Sequence, residues 1–175
     1  MILAAELLFL QKVTLATVNA KVTALNSLYA AQPGYAAVPA VATIADGQVY
    51  GPLDTQVVAP ALLYIIGAGE GPLGLKANQR SDLSTRYEIL YISQQDTFAN
   101  AKRDSQVMIE AMLFVLETIE GFSLGTSPDR GVVLILDPTV ELVSIDATVG
   151  TTAATKYGFR WRGEFELRLE RSSTL

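Results

Sequence analysis

The sequence predicts an α+β chain, with a mixed or antiparallel sheet, an N-terminal helix and a long central helix packed on it, and a protruding β-hairpin. Three observations carry this expectation. Two long stretches, near residues 2–31 and 96–119, repeat apolar residues at helical spacing. The runs between and after them are rich in β-branched and aromatic residues, and the last of these alternates strictly between apolar and charged. Half of the 175 residues are hydrophobic, enough to build one sizeable core in a single domain.

In the N-terminal stretch, Leu3, Leu7, Leu10, Val13, Leu15, Val18, Val22, Leu25 and Leu28 recur close to every third or fourth residue. Thr14, Thr17, Thr23 and the valines lower helix propensity, so a break is expected near Asn19. Gln32-Pro33-Gly34 ends the helix, because proline cannot continue the hydrogen-bond ladder and glycine tolerates left-handed geometry. The face can pack on a sheet or on a neighbouring subunit.

Hairpin and strand material fills residues 41–66. Val41-Ala42-Thr43-Ile44 and Gln48-Val49-Tyr50 flank Asp46-Gly47, a two-residue turn signal that requires positive φ. The run from Val57 to Ile66 reads as a buried strand. A glycine-rich stretch follows at 67–82 and reads as a mobile surface loop. It does not match a phosphate cradle. A dinucleotide fingerprint from Gly67 needs glycine where Pro72 stands. A Walker loop from Gly69 reaches Gly74, but Leu75 then precedes Lys76 and no Ser or Thr follows.

The remaining elements occupy residues 86–170. Arg86 to Ser93 is β-rich with apolar residues in both phases, as in an interior strand. Asp96 or Thr97 caps a helix running to about Ile119, with Phe98, Ala101, Met108, Met112, Val115 and Leu116 on its main face. Val107, Ala111, Phe114 and Thr118 widen that face, and Glu120-Gly121 stops the helix. Strands return at 132–136 and 140–149, separated by Asp137-Pro138.

The last strand places Tyr157, Phe159, Trp161, Phe165, Leu167 and Leu169 in one phase. Lys156, Arg160, Arg162, Glu164, Glu166, Arg168 and Glu170 occupy the other. It is long enough to extend beyond its own domain, with a bulge or bend expected at Gly163. Its mixed charges suit salt bridges between subunits and equally suit solvation. The candidate interface residues are therefore Arg160, Arg162, Glu164, Glu166 and Arg168, with Asp46, Gly47, Gly69, Glu70 and Gly71 as candidate partner-contact loops.

Composition excludes much chemistry. The chain has no Cys and no His, which removes disulfides, thiolate and imidazole metal ligation, and the usual catalytic triads. An enzyme would have to use carboxylates, Lys, Tyr or Ser. The pairs Glu164 with Glu166 and Asp129 with Asp137 lack the environment that separates an acid from a base. Asp137, Glu141 and Asp146 do not follow a calcium-loop pattern. No catalytic, cofactor-binding or metal residue is assigned, and no cofactor is expected. The net charge of −5 argues against a DNA-reading surface. Ile2 to Leu10 is interrupted by Glu6 and preceded by no basic residue, so neither an export signal nor a membrane segment is expected. Only 18% of residues are charged, against about 25% typically, which fits a surface partly covered by protein.

The order of these elements resembles a known family. Ala59-Pro60-Ala61-Leu62-Leu63-Tyr64-Ile65-Ile66, a polar stretch, and Arg86-Tyr87-Glu88-Ile89-Leu90-Tyr91-Ile92 come first. Asp96 then opens a helix containing Ala101, Arg103 and Ile109-Glu110-Ala111, and further strands end in the ribbon from Phe159 to Leu169. With a helix in front, this is similar to the tail terminator (tail completion, neck) proteins of tailed bacteriophages over about two-thirds of the chain. The hairpin around Asp46-Gly47 is longer than that pattern.

The resemblance implies an α+β subunit with a twisted sheet, forming a homo-oligomeric, hexameric ring on the tail tube protein. The ring ends tube polymerisation and meets the head connector or neck protein. DNA passes through the lumen without sequence recognition. The location implied is the virion, and the host cytoplasm during assembly. Other readings are a tail tube or head–tail connector ring subunit and, from a different class, a soluble ligand-binding or carboxylate-based enzyme domain using the Gly67–Gly74 stretch.

Overall fold

The computed structural model describes residues 9–46, 57–70, 74–75, 80–117, 130–135, 139–149 and 152–170. The chain is α+β, with helices and a mixed sheet of seven strands among these residues.

Residues 9–12 are helical, and that segment ends where the Val13 amide donates to the Phe9 carbonyl at 2.7 Å. Helix α1 (Leu15–Tyr29) then starts afresh from Thr14, whose hydroxyl accepts from the Thr17 amide at 3.2 Å. Thr17 returns the bond, its hydroxyl accepting from the Thr14 amide at 3.0 Å. The break therefore falls at Val13–Thr14 and not near Asn19. The threonines that weaken a helix interior form a capping box at its start, where their hydroxyls satisfy orphan amides. After the break, Val18, Val22 and Leu25 form the buried stripe, while Leu10, Leu15 and Leu28 of the expected apolar face are exposed. Gly34, at φ +75°, turns the chain after the helix, a conformation that favours glycine.

The segment returning along α1 is held by two asparagines one heptad apart. Asn19 bonds both backbone groups of Val41, accepting from its amide at 2.8 Å and donating to its carbonyl at 3.0 Å. Asn26 does the same to Val38 at 2.8 and 2.9 Å. The side-chain amides take the place of a neighbouring strand for this stretch of backbone.

Strand β1 (Thr43–Asp46) runs parallel to β2 (Ala61–Glu70), with Thr43 opposite Ala61 and Asp46 opposite Tyr64. The second arm expected for the Asp46-Gly47 hairpin, Gln48–Tyr50, lies outside the described residues. Strand β2 is antiparallel to β4 (Arg80–Ile92), and β3 (Gly74–Leu75) also pairs with β4. The surface loop expected over 67–82 is thus largely sheet. Gly67, Ala68 and Gly69 continue β2 through a register shift between Ile66 and Glu70, where small residues tolerate a bulged backbone.

Strand β7 (Thr152–Glu170), 19 residues long, pairs with β4 without interruption from Gly158 opposite Ile92 to Glu170 opposite Arg80. Its other edge carries β5 (Arg130–Ile135) and β6 (Thr139–Val149) end to end, with Ile135 opposite Phe165 and Thr139 opposite Arg162. No register shift occurs at Gly163, contrary to the expected bulge. A Cβ there would lie 2.6 Å from Tyr87 Cε1 and nearer still to Cζ and Oη. Glycine is required because a cross-strand tyrosine ring lies over its backbone.

Helix α2 (Phe98–Glu117) is capped by Thr97, whose hydroxyl accepts from the Asn100 amide at 3.4 Å. Asp96, the other expected cap, is ion-paired with Lys156. Val18, Val22 and Leu25 of α1 and Ala101, Met108, Met112, Val115 and Leu116 of α2 close over one sheet face, meeting Leu62, Tyr87, Ile89, Tyr91, Phe159 and Trp161. Val107 and Ala111 are buried as expected, whereas Phe98 and Phe114 remain exposed. Thr118, Ile119 and the Glu120-Gly121 stop lie outside the described residues. A smaller cluster of Val57, Ala59, Ala61, Leu63 and Ile92 forms separately.

Candidate functional site

The charged phase of β7 is the principal candidate surface. Alternation puts Phe159 and Trp161 under the helices and Arg160 and Arg162 on the opposite face. Both arginines converge on one carboxylate. Arg160 Nε lies 2.8 Å from Glu88 Oε1, and Arg162 Nε donates to Glu88 Oε2 at 2.8 Å. Pairing in the sheet explains the geometry, since Arg162 is directly opposite Glu88 and Arg160 is opposite the next outward position, Leu90. Glu88 is 17% exposed, Arg160 30% and Arg162 58%, so Arg162 retains the most freedom to meet another molecule. Each arginine therefore has a partner within its own sheet, whatever further contact the mixed charges of this face make.

Glu164, Glu166 and Arg168 continue the same phase of β7, opposite Arg86, Ser84 and Asp82 of β4. On the other edge, Glu166 and Arg168 face Leu134 and Val132 of β5. Lys156, the first charge of this phase, is buried and paired with the exposed Asp96, so the phase is not uniformly solvated.

The partner-contact loops are placed differently. Asp46 is the half-buried last residue of β1, in register with Tyr64. Gly69 and Glu70 close strand β2, with Glu70 opposite Thr85, and therefore do not sit on a loop. Gly47 and Gly71 lie outside the described residues, as do Asp129 and Asp137.

A second polar constellation has no counterpart among the expected site residues. Asp104 is fully buried on the apolar side of α2, with Oδ1 accepting from Arg103 Nη2 at 2.9 Å and Oδ2 from Gln95 Nε2 at 2.8 Å. The Gln95 amide donates to the Ser93 hydroxyl at 3.1 Å, tying the segment after β4 to the same cluster. Burial holds the Tyr91 hydroxyl well above the usual phenol range, with the charge of Asp104 acting in the same direction. Burial likewise raises Tyr35, where Arg103 opposes and Asp104 reinforces the shift. With both carboxylate oxygens engaged, the arrangement anchors α2 to the end of β4. The sequence signal was present: Asp104 falls in the apolar phase between Ala101 and Met108.

Among the described residues, no three acidic side chains gather as a group able to hold a metal ion, and no helix is long and apolar enough to cross a membrane. Compared with models of known protein families and with curated proteins, the chain matches none.

Proposed function

We propose that this protein is a non-enzymatic structural component of a phage virion, a ring-forming tail terminator that caps the tail tube and joins it to the head connector. The observation that carries the reading is the ribbon of β4, β7 and β5. It pairs without interruption from Gly158 opposite Ile92 to Glu170 opposite Arg80, with β5 along the other edge of β7 from Phe165 to Glu170. At about 3.3 Å per residue, the 19 residues of β7 extend roughly 60 Å. That is about three times the usual strand length of about 17–20 Å, and a strand so long supports a subunit whose sheet reaches a neighbour.

The absence of His and Cys and the low charge fraction agree with a role in assembly. A tail tube or head–tail connector subunit shares these features. The ligand-binding or enzyme alternative loses most of its loop, because Gly67 to Glu70 belong to β2 and Gly74 to β3.

Native mass and negative-stain imaging over a range of protein concentrations test the proposal. Closed rings that do not stack are expected. Open-ended tubes would replace the terminator reading with a tube subunit. A monomer that still fails to form rings when tube ends are supplied would overturn the assembly reading altogether.

A further inference from the structure

Strand β6 forms a long edge of the sheet. It pairs with β7 from Thr139 opposite Arg162 to Val149 opposite Thr152, and its other edge has no partner among the described residues. Exposed edges are normally kept short or protected by lysine, proline or a bulge, because unpaired N–H and C=O groups recruit another strand. Thr139–Val149 is 11 residues long and paired without a register shift. It contains no Lys, Arg, Pro or Gly and is rich in Thr, Val and Ile. On the same strand Leu142 is 50% exposed.

The apolar surface continues beside this edge. Leu142 is opposite Phe159, and Tyr157 lies two residues from Phe159 in β7, on the helix-covered face. The Tyr157 ring meets Phe98 edge-on at 5.9 Å, and Phe98 is itself 44% exposed.

We infer that β6 pairs antiparallel with β6 of a second copy of this chain, about a twofold axis at Leu142. The sequence is self-complementary in that register. Leu142 faces its own copy, Val140 faces Ser144, and Thr139 faces Ile145. Glu141 faces Val143 and Asp146 falls beyond the pairing, so no carboxylate is set directly opposite another. Every facing pair has the same strand parity, so the helix-covered faces stay on one side of a continuous sheet. The two exposed leucines cover each other. The contact does not rest on the ring proposed above: a twofold pairs two chains and closes on itself.

The natural absence of cysteine supplies a direct test. Directly opposite residues in an antiparallel pair have Cα atoms about 4.5–5.5 Å apart, within the usual disulfide range of roughly 4.4–6.8 Å. The full chain carrying Leu142→Cys should form a covalent dimer under mild oxidation at least tenfold faster than a chain carrying Leu28→Cys, whose site on α1 is 67% exposed. In sedimentation, Leu142→Lys should weaken self-association at least tenfold, while leaving the thermal melt unchanged at dilutions where the wild-type chain is monomeric. Equal cross-linking of the two cysteine variants, or sedimentation unaffected by Leu142→Lys, would overturn the inference. So would a wild-type chain that stays monomeric at high concentration.

Discussion

Two substitutions separate what a residue does from what its type suggests. Gly163 is a glycine because the Tyr87 ring occupies the space of its Cβ. Gly163→Ala should destabilise the fold by about 1–3 kcal/mol, the usual cost of forcing atoms into a packed site, read as a lower urea midpoint. Tyr87→Phe should not rescue it, because ring carbons as well as the hydroxyl stand in the way. Glu88, gripped by Arg160 and Arg162, makes those arginines part of the fold as well as of the surface. Arg160→Glu with Arg162→Glu would bring three carboxylates together. The double variant should lose about 1–2 kcal/mol, roughly 2–8 °C in Tm, with partial recovery when Glu88→Arg is added. An assembly defect in the double variant is therefore interpretable only beside its melting curve.

At the scale of elements, α1 is joined to the chain that follows it by two side chains. Asn19→Ala or Asn26→Ala leaves the N–H and C=O of buried Val41 or Val38 without their partners. Each should cost about 1–3 kcal/mol, the penalty for orphaned buried polar groups. The double variant should raise amide exchange at Val38 and Val41 before the rest of the chain. The sequence pattern identified α1, α2 and β7, whose apolar periods are long. It misread 67–82 because glycines usually mark loops. Here β4 and its partner strands supply a template that accepts Gly67 to Gly69 as strand. The helix break was misplaced for a related reason: threonine lowers propensity wherever it stands, but only Thr14 and Thr17 are positioned to cap each other.

For the whole molecule, pH is the clearest probe of the core. Burial pushes the Tyr87 hydroxyl up to about 12 from its ordinary value of 10, and raises Tyr91 as well. A raised folded-state pKa means that the unfolded chain gives up its proton first. The stabilisation is therefore complete below pH 10 and is lost as pH rises from about 10 towards 12. Each tyrosine that ionises only on unfolding contributes a slope of about 1.4 kcal/mol per pH unit there. Chemical denaturation across this range should show the decline, and Tyr87→Phe should make it shallower. A flat profile would mean that Tyr87 is accessible to solvent in the folded state.

By itself the sequence determined the α+β class, the two main helices, the alternation of β7 and the exclusion of cysteine and histidine chemistry. These follow from local periodicity and composition, which need no knowledge of distant partners. Tertiary structure decided where each charge is spent. Glu88 and Arg162 are 74 residues apart and meet only because β4 and β7 settle in one register. Asp104 is tolerated in the core because Arg103 and Gln95 reach it there. Gly163 needs Tyr87 from another strand to explain it. Register is a property of paired strands, and a shift of one residue between β4 and β7 would part Glu88 from Arg162 and Tyr87 from Gly163.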